Sequence, residues 1–293
     1  YYPIIKTDEH GFNNPSGLYN ENAVDIVLIG DSFIEGLSVN QNESISAVLR
    51  EAGYRAISLG KAHNGGLIEF AVLKEYAEPL KPKIVLWVYW VNDLDELIEE
   101  VKSPFLRKYL DKDGFSQNLI SRQEEIDSVL INDVPIPKIE RVKDMKNKIV
   151  HTMKLSNIRR WIHLLPKPRP IPRIPSAPIT IFKDILQQSK QMVSEWGGEM
   201  YFVYLPSVHS QIPPVDWNHY FLTEARNREI VMQTLTELDI PIIDIQNEVF
   251  KTHPDPLSLF PFRMHSHYNA EGYRLVAEEI GKQLDADYYV SIN

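Results

Sequence analysis

The sequence contains no cysteine, which excludes disulfides, cysteine-ligated zinc and thiol catalysis together. Positive charge is in the minority, since 31 Lys and Arg residues stand against 40 Asp and Glu residues and the net charge is −9. That balance argues against a nucleic-acid-binding protein, which needs a basic face to neutralise phosphates. Long hydrophobic runs are also missing, because no stretch reaches the ~18 apolar residues that a membrane span requires.

The composition is that of an ordinary folded protein, with 43% hydrophobic and 24% charged residues in a chain of 293. The chain begins at Tyr1 rather than Met, and we interpret this as a trimmed N-terminus. A signal peptide or a membrane tether upstream of Tyr1 could have been removed with it. An extracytoplasmic location, such as the periplasm, is favoured if such an anchor existed.

Short β-branched runs alternate with segments of helical pattern along most of the chain. The predicted strands lie at 23–29, 55–59, 84–90, 200–205 and 240–245. This alternation predicts an α/β fold in three layers, with about five parallel strands in a doubly wound, flavodoxin-like sheet. We expect one domain over 1–293, with an irregular lead-in at 1–22 and a helical insertion at 94–183. A Pro-rich extended run at 166–178 closes the insertion, and the next helix is predicted from residue 185.

The first predicted strand ends in Gly30-Asp31-Ser32-Phe33, which places a serine at the entrance to a helix. Helix N–H groups stabilise negative charge there, and this suits a serine nucleophile whose attack creates an oxyanion. The alternative is that Ser32 only caps the helix. No dinucleotide-binding G-x-G-x-x-G occurs here, and the hydrolase elbow G-x-S-x-G is excluded because position 34 is isoleucine.

Four segments in order resemble the sequence blocks of the SGNH/GDSL hydrolase family. Residues 26–33 resemble its first block, and 60–66 stand where its glycine block belongs. Residues 91–93, Val-Asn-Asp, resemble its Asn-Asp block, and 267–273 resemble its C-terminal histidine block. The resemblance spans 25 to about 280, interrupted by the insertion. The order of the four blocks, each at a predicted strand end, makes the signal specific, and it implies the fold of that family.

The resemblance also implies the roles of three side chains. Ser32 is the implied nucleophile, and His267 is the implied base that accepts its proton and later returns it. The backbone N–H of Ser32 and the side chain of Asn92 are implied donors to the oxyanion. We interpret the acidic run at 93–100 as a solvated helix face.

The glycine block departs from the family pattern, because the position expected to hold the donor glycine is His63. A backbone N–H can come from any residue except proline, so the donor can survive this substitution. The donor is then the N–H of His63, Asn64 or Gly65. We interpret the side chain of His63 as lining the pocket or lying on the surface.

The acidic member of the triad is missing from its usual place. Family members carry an aspartate three residues before the histidine, or two before it in some acetyltransferase-like relatives, and here those positions are Met264 and His265. His265 could occupy the place without supplying charge, or Asp255 could reach His267 from further back. The third alternative is a Ser32–His267 dyad in which a backbone carbonyl orients the imidazole.

A metal site is a weaker alternative for the same segment. His265 and His267 could share a cation if Asp255 or His253 joined them, but catalytic zinc needs at least three protein ligands and structural zinc four. The resemblance implies neither a metal nor another cofactor.

The sequence therefore predicts a serine-dependent acyl-ester hydrolase, esterase- or lipase-like or a carbohydrate deacetylase, which acts on a small-molecule or carbohydrate ester. The first alternative is an O-acyltransferase that modifies a cell-envelope or exported polysaccharide. It is favoured by residues 6–14, which resemble segments preceding membrane-tethered SGNH domains. The second alternative is a non-catalytic binding module on the same fold.

Overall fold

The computed structural model describes residues 5–19, 24–133, 176–212 and 219–292. Within these ranges five parallel strands form one sheet in the order β2-β1-β3-β4-β5. The strands are β1 (Ile26–Ile29), β2 (Ala56–Ser58), β3 (Ile84–Tyr89), β4 (Glu199–Tyr204) and β5 (Ile242–Asp244). Each overlaps its predicted segment, and the predicted α/β fold class is confirmed.

Helices cover both faces of the sheet. The described α-helices are α1 (Ser32–Glu35), α2 (Ile45–Glu51), α3 (Gly66–Val72), α4 (Asp93–Glu100), α5 (Arg107–Asp111), α6 (Gln123–Asp133), α7 (Ser176–Glu195), α8 (His219–Leu238) and α9 (Ala270–Ile292). Side chains of α3, α4, α7 and α8 share one apolar core, and those of α2 and α9 share the other. No helix in the described ranges is both long and apolar enough to cross a membrane.

The central strands are apolar on both faces because both faces are covered. Along β1, Val27 and Ile29 enter one core while Ile26 and Leu28 enter the other. Ile29 pairs with Trp87 of β3, so these two strands end side by side at the same edge of the sheet. The turns that follow them carry the predicted site.

The described part of the insertion contains α4, α5 and α6 and packs on the α3 side of the sheet. Glu75, in the π-helical turn Leu73–Ala77 that continues α3, accepts hydrogen bonds from the Tyr109 hydroxyl at 2.7 Å and the Leu119 N–H at 3.0 Å. The predicted start of the next helix at residue 185 is wrong, because α7 begins at Ser176. Pro178 is its third residue, and proline is tolerated in a first helical turn. Residues 166–175 of the Pro-rich run lie outside the described residues.

The lead-in has no helix or strand over 5–19, as its irregular pattern predicts, and it is fixed by side chains. Asn14 donates to the carbonyl of Ser58 and accepts from the Ser58 N–H, both at 2.8 Å. Asp8 accepts from the Tyr19 hydroxyl and the Phe12 N–H, both at 2.9 Å. These bonds hold the lead-in along β2, at the edge of the sheet.

Candidate active site

Ser32 and His267 are brought together from opposite ends of the sequence. Nε2 of His267 lies 2.8 Å from Oγ of Ser32. The serine side chain is only slightly exposed, since the residue keeps 8% of its accessible surface. A hydroxyl within hydrogen-bond reach of an imidazole is the arrangement that an activated serine nucleophile requires.

The turn after β1 is shaped by its aspartate and by two glycines. Asp31 is the N-cap of α1 and accepts from the N–H of Phe33 at 2.9 Å, so the interpretation of Ser32 as the cap is wrong. A Cβ at Gly30 would lie 2.8 Å from the carbonyl oxygen of Val88 in β3. A Cβ at Gly60 would lie 2.8 Å from the carbonyl oxygen of Asp31. Only glycine allows the ends of the three strands to meet this closely.

His267 is placed by its buried neighbour on the approach to α9. Tyr268 is fully buried, and its hydroxyl donates to the carbonyl of Pro206 at 2.6 Å. Asn269 accepts from the N–H of Gly272 at 3.0 Å, which fixes the start of the helix. The imidazole packs against the ring of Phe33, with centroids 4.8 Å apart.

The surroundings of His267 favour its neutral form. Burial is the main cause, and repulsion by His265 adds to it, so the pKa of His267 is lowered to about 4. Nδ1 lies 3.3 Å from the hydroxyl oxygen of Ser266. In the described part of the chain, no carboxylate forms a hydrogen bond or ion pair with this ring.

The structure does not bring Asp255 to His267. Both carboxylate oxygens of Asp255 accept from the guanidinium of Arg263 at 2.7 Å, on a half-exposed surface. This pairing lowers the pKa of Asp255 and occupies the side chain. The expectation that Asp255 orients the base is therefore wrong, because a nearer cation holds it.

The residues two and three positions before His267 supply no charge partner either. Nδ1 of His265 accepts from the backbone N–H of His267 at 3.2 Å, and the two ring centroids are 5.6 Å apart. Met264 is 76% exposed. The described residues also contain no group of three or more His, Asp or Glu side chains placed to share a metal ion.

Two of the three candidate N–H groups in the glycine block already have acceptors. The N–H of Asn64 donates to the carbonyl of Lys61 at 3.1 Å, and that of Gly65 donates to Glu100 at 2.6 Å. The N–H of His63 has no acceptor anywhere in the described ranges. His63 adopts a left-handed backbone conformation, with φ of 69°. Its ring is exposed, in agreement with the surface interpretation, and Nδ1 lies 3.4 Å from a Glu96 oxygen.

Asn92 lies on the turn after β3, directly before α4. It makes no side-chain capping bond, and its Oδ1 atom is buried without a partner. Asp93 accepts from the N–H of Trp90 at 2.8 Å and so fixes the turn. Because β1 and β3 are neighbours and end at the same edge, Ser32 and Asn92 stand on adjacent turns.

Sequence reasoning missed a group of buried carboxyls beside the nucleophile. Asp31 is 2% exposed, and Glu69 and Asp93 are fully buried. Burial raises the pKa of Asp31 to about 6. Burial and mutual repulsion raise the pKa values of Glu69 and Asp93 well above their usual range.

The interpretation of residues 93–100 as a solvated face is wrong for its two ends. Asp93 is buried, and Glu100 accepts from the N–H groups of Gly65 and Leu67 at the start of α3. The signal was present in the spacing, since positions 93, 97 and 100 share one helix face and Leu97 marks it as buried.

No family model matches this chain, and no curated protein does. Solved structures do match. An acetyl xylan esterase, AlAXEase, has a TM-score of 0.50 at 12% identity, over 88% of this chain and 98% of that one. A member of the lipolytic G-D-S-L family from Veillonella parvula has a TM-score of 0.48 at 12% identity, over 88% and 96%. A lipase/acylhydrolase from Enterococcus faecalis also has 0.48 at 12%, over 90% and 96%. At 12% identity, the likeness to this acetyl xylan esterase shows that the two chains share a fold.

Proposed function

We propose that the protein is a serine-dependent acyl-ester hydrolase with Ser32 as nucleophile and His267 as general base. The observation that carries this proposal is the 2.8 Å hydrogen bond between Oγ and Nε2. It joins residues from two distant blocks of the sequence at the carboxyl edge of the sheet, where ligands bind in open α/β folds.

In the proposed mechanism each of these residues has a defined role. Nε2 of His267 accepts the hydroxyl proton while Oγ of Ser32 bonds to the carbonyl carbon of the ester. The oxyanion that forms is held by the N–H groups of Ser32 and His63 and by the side chain of Asn92. One such donor contributes about 3–4 kcal/mol in a serine protease. The imidazolium then protonates the leaving alcohol, and water releases the acid by the same steps in reverse.

His63 is our choice among the three glycine-block residues because its N–H is the one without an acceptor. Within the described residues no carboxylate bonds the Nδ1 side of His267. The loop before α9 that carries His267, here called the histidine loop, therefore supplies no third member, and Ser32 and His267 form a dyad.

Acetylated carbohydrates and short acyl esters are the substrates that we propose. A structure of the same fold is described as an acetyl xylan esterase, and this makes acetylated sugars the first group to test. The acyl-enzyme could also pass its acyl group to a sugar hydroxyl instead of water. Products formed with and without an added sugar acceptor would separate the hydrolase from the O-acyltransferase.

A fluorophosphonate probe tests the nucleophile directly. The wild-type protein should be labelled, and Ser32→Ala should not be. A panel of acetylated sugars and p-nitrophenyl esters then gives the substrate class. Equal labelling of the two proteins would contradict the proposal and favour a binding module on the same fold.

A further inference from the structure

We propose that Asp31 is a further catalytic residue, whose ionised carboxylate contacts the nucleophile and supplies the negative charge that the histidine loop lacks. This inference rests on the proposed function, because it assigns the counter-charge for the same Ser32–His267 pair.

The hydroxyl of Ser32 lies between two acceptors. Its Oγ is 2.8 Å from Nε2 of His267 and 3.1 Å from Oδ2 of Asp31. The other oxygen of Asp31 is fixed by the N–H of Phe33 at 2.9 Å, so the second oxygen is held toward the serine. The single hydroxyl proton is donated to one of these acceptors at a time, and the two contacts, of 2.8 and 3.1 Å, place the carboxylate within about 6 Å of Nε2.

Other counter-charges for His267 are absent from the described part of the chain. Its ring contacts the hydroxyl of Ser266, the ring of Phe33 and the neighbouring His265. The carboxylate of Asp255 is engaged by Arg263. Asp31 is therefore the carboxylate one hydrogen bond away from the reacting atoms.

The charge of Asp31 acts chiefly on the imidazolium. During acylation the Oγ–H bond breaks, the proton moves to Nε2, Oγ bonds to the carbonyl carbon, and the carbonyl electron pair moves to its oxygen. Asp31 gains and loses no proton in this step. The oxyanion has its own hydrogen-bond donors in the proposed mechanism, whereas no carboxylate of the described residues bonds the imidazolium ring. The anion at Asp31 therefore stabilises the less compensated of the two new charges.

The carboxyl of Asp31 is faced by other acids from the elements packed on it. Glu69 on α3 and both Asp93 and Glu96 on α4 interact with it electrostatically. His267 lies on the other side of the Ser32 hydroxyl. Burial raises the pKa of Asp31 to about 6. Below that pH Asp31 takes up a proton and the counter-charge is lost.

The test is the pH profile of kcat/KM for p-nitrophenyl acetate, measured on the full chain and on Asp31→Asn. Asparagine caps helices about as well as aspartate, so the change removes the charge and keeps the cap. We expect the plateau to fall about 100-fold, as a unit charge about 6 Å away gives at an effective dielectric constant of about 20. We also expect the acid limb at about pH 6, where Asp31 takes up its proton, to be lost, which leaves the limb that His267 sets at about pH 4.

A matched control lies at the other end of the same strand. Asp25 precedes β1 and binds Arg55 there, so Asp25→Asn should change neither plateau nor limb. Asp31→Ser also removes the charge and keeps a residue that caps helices, so it should give the same result as Asp31→Asn. With two variants, the test does not fail if one of them folds poorly.

An unchanged plateau or an unmoved acid limb in both Asp31 variants overturns the inference. The proposed function is tested separately, by probe labelling of Ser32→Ala. If that labelling is lost while the Asp31 variants keep the wild-type profile, the hydrolase stands and the role of Asp31 does not.

Discussion

The rings of Phe33 and Tyr268 pack edge to face, with centroids 4.8 Å apart and an interplanar angle of 64°. Each follows directly on one member of the proposed dyad, Phe33 on Ser32 and Tyr268 on His267. Both rings are fully buried, and Phe33 also contacts the imidazole of His267. The distance between nucleophile and base is therefore set by a buried aromatic contact one residue along each segment.

Replacing Phe33 by a smaller residue should increase the distance between Ser32 and His267. We expect Phe33→Leu to lower the free energy of unfolding by about 1–2 kcal/mol through lost packing, and to lower kcat more than the change in stability explains. Urea unfolding and esterase kinetics measure the two effects. The matched control is Phe202→Leu, which is equally buried but lies in the other core. If both variants lose kcat alike, the aromatic contact has no special role.

Asp31 should make the wild type less stable as the pH rises. Its pKa is raised to about 6 from 3.8, so the stability that this group contributes is complete below about pH 4 and is lost as the pH rises through about 6. A shift of about two units corresponds to roughly 3 kcal/mol. Asp31→Asn should thus match the wild type near pH 4 and exceed it by about 1–3 kcal/mol at pH 8, in urea titrations at both values. His267 titrates in both proteins, so a pH-independent difference between them would exclude a buried charge at Asp31.

The histidine loop should work without Asp255. Because that carboxylate is bound by Arg263, we expect Asp255→Asn to change kcat by no more than a few fold. His267→Ala should lower kcat by up to about 10⁶-fold, as loss of the base does in a serine protease. A loss for Asp255→Asn that approaches that of His267→Ala would show that Asp255 swings to the base during catalysis.

Glu100 should stabilise the glycine block, residues 60–66, through hydrogen bonds to its backbone. It accepts from the N–H groups of Gly65, Leu67 and Ile68, so Glu100→Ala leaves buried donors unpaired, which costs about 1–3 kcal/mol. The same change should lower kcat, because the loop that carries His63 loses its anchor. Glu99→Ala is the control, since Glu99 is exposed and its removal should stay within about 0.5 kcal/mol. Equal unfolding curves for the two variants would rule out this anchoring role.

The sequence was sufficient to predict the parallel sheet and the proximity of Ser32 and His267. Strand ends are marked by glycine and by apolar runs, and parallel strands deliver their turns to one edge. The sequence did not predict that Asp255 lies away from His267. Phe262 and Arg263 adopt left-handed backbone conformations, and Arg263 binds the carboxylate of Asp255. Nothing in the local pattern predicts two such residues in a row.

The buried acids were missed for a related reason. From composition alone, a run of Asp and Glu is predicted to be exposed to solvent. Asp93 and Glu100 instead accept hydrogen bonds from the backbone, and composition does not show this. Each accepts backbone N–H groups at a turn of the carboxyl edge. Their burial follows from which face of α4 meets α3, and the position of Leu97 on that face was the available clue.

The pairing of Asn14 with Ser58 also protects the outer edge of the sheet at β2. β2 is an outer strand, and its outward N–H and carbonyl groups could template the addition of a strand from another molecule. The amide of Asn14 occupies both groups of Ser58 with a single side chain. The lead-in thereby blocks a route to edge-to-edge aggregation, and a chain shortened past Asn14 would leave that edge open.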